Sequence, residues 1–315
     1  MLLNYRGKMI DIYVNDETSK LRSVILGTAK SLGGTPLVKE AYDPKSKVHI
    51  RNGTYPLEAD LIRELDGFAE VLEKYDVQVY RPRVIRDCNQ IFTRDIGFVI
   101  EDKFVIPTIL WNRRREIDGI EYIIKDIGEE NVIIAPKGIR IEGGDVMPWH
   151  DHLFIGFSGH PEFDEYVVSR TNKEGVEFLR NAFPKKEVRS FELKKSDTDP
   201  KENALHLDCC FQPIGTNLAI IYPGGFKYSE DVDFLMNFFG RENIIEISKE
   251  EMYEMNSNIF SISQEVIVSE VGFTRLNGIL RERGFTVETI KYSETAKMEG
   301  LLRCSTLPLL RDKAI

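Results

Sequence analysis

Apolar residues recur along this chain in two alternating rhythms. From Leu57 to Tyr75, Leu57, Leu61, Leu65, Phe68, Val71 and Leu72 fall on one side at helical spacing. A short β-like run, Val77-Gln78-Val79-Tyr80, follows at once. The same succession returns four times. Helices are predicted over 114–127, 163–182, 230–239 and 271–283, each leading into a run. Those runs are Val132-Ile133-Ile134, Val188-Arg189-Ser190-Phe191, Ile244-Ile245-Glu246-Ile247 and Val287-Glu288-Thr289-Ile290. The first four begin at 77, 132, 188 and 244, spacings of 55, 56 and 56 residues, with 43 more to the fifth. A near-constant period of this size marks a modular, repeated architecture.

Hairpin signals lie between these units. Ile91–Ile100 is predicted to pair with Phe104–Ile109, and Asp145–Trp149 with Leu153–Phe157. Leu205–Pro213 is predicted to pair with Leu218–Tyr222, and Asn258–Ile262 with Glu265–Ser269. A fifth hairpin is missing from the linear order. Pairing Arg22–Gly27 with Leu302–Leu309 supplies it and closes a ring, as propellers close with both termini in one blade. The competing arrangement is a doubly wound α/β sheet. In a ring, equivalent positions of successive modules converge on the axis, so residues far apart in sequence would line one pocket. Ser31 to Tyr55, rich in Gly, Pro, Lys and Asp, is expected as an irregular loop that covers this pocket. No break in composition interrupts 1–315, so one domain is expected.

Composition narrows the functional classes. With 42% hydrophobic and 30% charged residues in 315, a large core is available. A net charge of −9 speaks against non-specific nucleic-acid binding, which needs a basic surface. The chain has four cysteines, Cys88, Cys209, Cys210 and Cys304, without a CxxC pair, which fits a reducing compartment. The N-terminus lacks an apolar h-region, and no run approaches about 18 apolar residues. A cytoplasmic protein with no membrane partner is therefore expected.

Chemistry gathers at equivalent places in the repeat: Phe92-Thr93-Arg94-Asp95, Glu142-Gly143-Gly144-Asp145, His206-Leu207-Asp208, Asn256 with Asn258, and Cys304. A cysteine, a histidine and several carboxylates so placed suggest nucleophilic attack on a cationic substrate. A guanidinium fits paired carboxylates, being planar, charged and rich in N–H donors. A lone cysteine is ordinarily buried and inert, and Cys88, Cys209 and Cys210 are read that way. His150, His152 and His160 read as surface residues. Asp145 reads equally as functional or as structural, bonding backbone or Arg140. His206, Asp208 and Glu142 are also a donor set for a metal hydrolase, which stays open at this point.

With Asn89-Gln90-Ile91-Phe92-Thr93-Arg94-Asp95, Glu142-Gly143-Gly144-Asp145, His206-Leu207-Asp208 and Arg303-Cys304 through Leu309 in this order, the chain resembles the guanidino-group-modifying enzymes of the pentein superfamily. These are arginine deiminases, dimethylarginine dimethylaminohydrolases and amidinotransferases. The resemblance spans about residues 10 to 312 and is closest to arginine deiminase. It departs at Met298-Glu299-Gly300-Leu301-Leu302, where the family usually carries a glycine-rich turn.

The resemblance implies an α/β fold, a five-bladed pseudo-symmetric propeller of ββαβ modules closed by the N- and C-terminal strands. It implies no metal or organic cofactor, a small guanidino partner and a homodimer. It implies that Glu142 and Asp95, with Asp208 nearby, hold the guanidinium while Cys304 attacks its carbon. His206, kept charged by the carboxylates around it, would protonate the departing amine and then activate water on the thiouronium adduct. Arg114, with Arg113 second, is expected on the substrate's α-carboxylate, and Asn89 at its amino-acid end. The implied reaction is deimination of L-arginine or a close derivative to citrulline and ammonia. Amidino transfer to an amine and dihydrolase chemistry giving ornithine stay open. A non-catalytic binding pentein would lack the cysteine and histidine.

Overall fold

The computed structural model describes residues 9–313. Among them, fifteen strands form five three-stranded sheets of identical topology. In chain order, β1 (Leu21–Leu26) is followed by helices α1 (Pro44–Arg51) and α2 (Glu58–Lys74), then β2 (Gln78–Tyr80). The hairpin β3 (Phe98–Ile100) and β4 (Lys103–Ile106) leads through α3 (Arg115–Asp118) and α4 (Glu121–Ile127) to β5 (Val132–Ile134). Next come β6 (Val146–Trp149), β7 (His152–Phe157), α5 (Glu162–Glu165), α6 (Lys173–Ala182) and β8 (Glu187–Glu192). Then β9 (Phe211–Ile214) and β10 (Leu218–Ile221) pass through α7 (Ser229–Phe239) to β11 (Ile244–Glu246). After α8 (Lys249–Tyr253), β12 (Phe260–Ser261) and β13 (Val266–Glu270) pass through α9 (Thr274–Glu282) to β14 (Thr286–Ile290). Finally α10 (Ser293–Ala296) leads to β15 (Thr306–Arg311), which pairs antiparallel with β1.

Every sheet has an antiparallel hairpin and a third strand parallel to the hairpin's second, reached through helix. The predicted joining of the two chain ends is present, with Ile25 opposite Leu307. The chemistry of α2 shows why the modules form. Leu61, Leu65, Phe68 and Leu72 are buried on one stripe against Leu21, Val24 and Leu26 of β1. The helix ends at Lys74 and is capped by Tyr75, and Asp76, with φ 60°, then turns the chain into Val77. Among the described residues no helix is long and apolar enough to cross a membrane.

Three sequence expectations need correction. The predicted hairpin strands begin too early: β3, β9, β12 and β15 start well inside the predicted segments. The residues ahead of them turn across to other modules instead. The Thr93 hydroxyl donates to Ser305 O (2.9 Å), and the Arg94 N–H to Cys304 O (3.1 Å). The predicted helices over 114–127 and 163–182 are each split. In the second, the Asn172 side chain accepts from the Gly175 N–H (2.9 Å) and caps a new helix. The stretch 31–55 is not wholly irregular, because Asp43 accepts from the Ser46 N–H (2.6 Å) and starts α1 with Pro44 in its first turn.

Candidate active site

The motif residues occupy one place in each module, the turn just ahead of the first strand. Asp95 precedes β3, Glu142 precedes β6, His206 and Asp208 precede β9, Asn258 precedes β12, and Cys304 precedes β15. All are buried. Close approach dictates the double glycine after Glu142. A Cβ on Gly143 would lie 2.0 Å from Arg94 O, and one on Gly144 would lie 2.6 Å from the His206 ring. Asp145 is structural: its Oδ1 accepts the Leu207 N–H (2.9 Å) and holds the turn that presents His206 and Asp208.

His206 Nε2 lies 3.0 Å from Glu142 Oε2, and its Nδ1 lies 3.7 Å from Asp95 Oδ1. Burial alone would push the imidazole toward neutrality, but Asp95, the Glu142 hydrogen bond and Asp145 outweigh it and raise its pKa. For Glu142, burial favours the neutral acid. Arg170, the His206 hydrogen bond and Arg113 overcome this and hold the carboxyl well below its usual range. The Cys304 Sγ accepts from Asn258 Nδ2 (3.1 Å) and faces Asp208 Oδ2 (3.6 Å). Burial, Asp208 and Asp95 push the thiol up, so at rest it is protonated. Asp95 Oδ1, Glu142 Oε1 and His206 Nδ1 are buried with no hydrogen-bond partner among the described residues.

The two adjacent arginines separate. Arg113, at the end of the 3-10 turn Trp111–Arg113, is buried and donates to Asp95 Oδ2 (2.7 Å) and to both Glu116 oxygens (2.8 Å each). Arg114 is exposed and stacks on the exposed Trp111 (4.2 Å). The preference for Arg114 therefore reverses: neighbouring residues of a 3-10 turn point roughly 120° apart, and this turn aims Arg113 inward. Asn89 lies further out, half-buried, donating to the Tyr42 hydroxyl (3.4 Å). Asp208 is engaged by Arg303 Nη1 (2.9 Å), which also pairs with Glu17. His160 is exposed, whereas His150 and His152 are half-buried.

Three residues escaped the sequence reading. Arg170 donates to Glu142 Oε2 (3.0 Å) and to Tyr42 O (2.9 Å). It stands 57 residues after Arg113, so the module period itself was the missed signal. Asn258 was noted for its place but given no role. Glu17, from the segment before β1, anchors Arg303 with two bonds (3.1 and 3.0 Å), and nothing local announces it.

A cover closes the centre. Tyr42 and Asp43 join Phe92, Asp95, Arg113, Arg170, His206, Met298 and Cys304 around a space of about 10 Å³, room for one water at most. A second cavity of about 360 Å³ lies outside it, sharing Tyr42, Asp43, Phe92 and Met298 with the inner one. Anything larger than a water would have to displace Tyr42 and Asp43 to reach Cys304. Asp95, Glu142 and His206 each offer one atom within 4.8 Å of the others, as a metal site would. However, guanidiniums lie on both carboxylates at 2.7 and 3.0 Å, and, against burial, Asp95 and Glu142 raise the His206 pKa, favouring its protonated form. The set suits hydrogen-bond donors better than an ion whose ligands must be deprotonated.

Residues 47–310 match the family described as N,N dimethylarginine dimethylhydrolase, eukaryotic. The chain is 32% identical over 248 residues to the uncharacterized protein YkgA of Bacillus subtilis, covering 78% of each. It is 26% identical to an arginine deiminase of Limosilactobacillus reuteri, over 78% of this chain and 66% of that one. The N-terminal domain of ArgZ, described as an arginine dihydrolase from the ornithine-ammonia cycle in Cyanobacteria and solved bound to substrate, has the same fold. The TM-score is 0.75 at 17% identity, over 92% of this chain and 98% of that one.

Proposed function

The chain belongs to the N,N-dimethylarginine dimethylhydrolase family of the pentein superfamily, and from that premise we propose that it hydrolyses the guanidinium of arginine, or of an Nω-substituted arginine, to citrulline. The same reading takes 1–315 as one domain and the five sheets as blades of a closed ring. One observation carries it. Asp95 and His206 line the small space that also holds Cys304, Glu142 lies against them, and all three carry buried atoms without a partner among the described residues. Each orphaned buried polar atom costs about 1–3 kcal/mol, so carboxylate oxygens left this way imply a ligand rich in N–H donors.

The roles follow from the chemistry. With the cover displaced, the substrate's guanidinium donates to Asp95 Oδ1 and Glu142 Oε1. Its positive charge beside the sulfur favours the thiolate, and the thiol proton leaves to solvent. The sulfur's electron pair forms the S–C bond. The C–N bond to the departing amine breaks, and the amine takes its proton from the His206 imidazolium. This leaves a thiouronium cation on Cys304 and a neutral imidazole. Water adds to the same carbon and gives one proton back to His206. The C–S bond then breaks, the hydroxyl proton returns to sulfur, and citrulline is released. Arg113 and Arg170, whose guanidiniums lie over the Tyr42 ring at 5.7 and 5.5 Å, take the substrate's carboxylate in this reading.

The test is incubation of the purified protein with L-arginine and with Nω,Nω-dimethylarginine beside a Cys304→Ser control, with products identified by mass spectrometry. Citrulline absent from the control is expected. Ornithine would replace this reading with dihydrolase or transfer chemistry, and no turnover of any guanidine would refute it.

A further inference from the structure

Asn258 lies in the fourth module, yet it ties the fifth module's nucleophile to the main chain of the third module at Asp208. It is fully buried in the turn ahead of β12. Its Oδ1 accepts the Cys304 N–H (3.1 Å), and its main-chain oxygen accepts the Arg303 N–H (3.2 Å). Its Nδ2 donates to the Cys304 sulfur (3.1 Å) and toward the main-chain oxygen of Asp208 (3.4 Å). The orientation of the amide follows from these partners. An N–H can be met only by the oxygen, so the NH₂ must face the sulfur and the carbonyl. Ser257 reinforces the link, its hydroxyl donating to the same Asp208 oxygen (2.9 Å).

We propose that Asn258 is a catalytic residue of this site, its amide N–H donating to the Cys304 sulfur when it is charged while its oxygen fixes that cysteine's backbone. The proposal rests on the thiouronium reading above and adds to it the group that stabilises the nucleophile. A neutral thiol is a weak acceptor, whereas a thiolate is a charge-assisted one, so the same contact strengthens on ionisation. The other groups facing the sulfur act differently. Asp208 Oδ2, at 3.6 Å, opposes the charge, and so does Asp95. Arg303 favours it but is held by Glu17 and Asp208. Among the described residues, Asn258 supplies the one side-chain N–H bonded to the sulfur.

Two variants separate the donor from the scaffold. Asn258→Asp keeps an oxygen for the Cys304 N–H but replaces the N–H aimed at sulfur by a charged carboxylate oxygen, so it adds repulsion to the lost donor. Asn258→Ala removes both. The measurement is the pH dependence of iodoacetamide alkylation of Cys304, followed by mass spectrometry of its peptide, with thermal unfolding alongside. Asn258→Asp is expected to raise the apparent thiol pKa by a unit or more, about tenfold slower alkylation at any pH below it. Asn258→Ala is expected to raise it less and to lower the melting temperature. An unchanged titration in folded Asn258→Ala, which removes the donor without adding charge, would overturn the proposal, as would a fall in melting temperature with no shift in the titration. Because alkylation needs no substrate, this result stands apart from whether arginine is turned over.

Discussion

A single methyl group at Gly144 probes the proposed role of His206 without removing it. Ala at this position would place Cβ 2.6 Å from the imidazole, where ordinary contact begins at 3.4 Å. The Gly144 backbone leads straight into Asp145, which is tied to Leu207, so the ring has to yield. It must retreat by roughly the difference, about 0.8 Å. Its 3.0 Å bond to Glu142 and its 3.7 Å approach to Asp95 do not survive such a shift unchanged. A misplacement near 1 Å can cost about 100-fold in rate, while overpacking costs about 1–3 kcal/mol in stability. Gly144→Ala is therefore expected to fold, with kcat for citrulline formation down about 100-fold. The assay is product formation at saturating substrate, paired with urea unfolding. Gly143→Ala provides the contrast, because its Cβ would meet the Arg94 main-chain oxygen at 2.0 Å and backbone cannot swing aside. That variant is expected to lose its fold before its chemistry. Wild-type kcat in Gly144→Ala would refute the assignment of His206 as the proton carrier.

Other outcomes follow from the same geometry. Replacing Arg170 by Met strands the buried Glu142 carboxylate and is expected to cost about 3–5 kcal/mol in urea unfolding; Arg114→Ala, on the surface, is expected to leave the midpoint unchanged. His206 has a pKa raised above the ordinary 6.5, so its contribution to stability is complete below pH 6.5 and is lost as pH rises through the folded value. A His206→Gln variant should lose that slope, measured as urea midpoints across pH 6 to 9. Glu17 is held at about 2, where burial opposes and Arg303 and Arg94 favour the carboxylate. Its contribution is present above the ordinary 4.5 and vanishes as pH falls toward about 2, so Glu17→Gln should flatten acid unfolding over that window. Inactivation by iodoacetamide should be slow at neutral pH and accelerate as Cys304 ionises above the ordinary 9.0; fast alkylation at pH 7 would contradict the buried, protonated thiol.

The repeat, the strand that follows each helix and the joining of the two chain ends were legible because each is written locally. A stripe of apolar residues on α2 or a β-branched run at Val132 needs no distant partner to be recognised. Strand starts were misplaced because Thr93 and Arg94 bond to residues 304 and 305, more than two hundred positions away. The split of the helix predicted over 163–182 was missed although Asn172 carries the capping chemistry, and it is this split that frees Arg170 to reach Glu142.

The sequence by itself therefore determined the module, its number, the order of the chemical motifs and the cysteine they surround. Those properties depend on period and residue type. Tertiary structure decided the rest: that Arg113 rather than Arg114 faces inward, that Arg303, anchored by Glu17, pairs with Asp208, that Asn258 grips Cys304, and that residues 42 and 43 shut the centre. The Arg113 contact with Asp95 stays inside one module, while the Arg303–Asp208 and Asn258–Cys304 contacts join different ones. Such geometry turns on a rotation of about 120° per residue in a 3-10 turn or a shift of about 1 Å, and neither leaves a trace in the local pattern of apolar and polar positions.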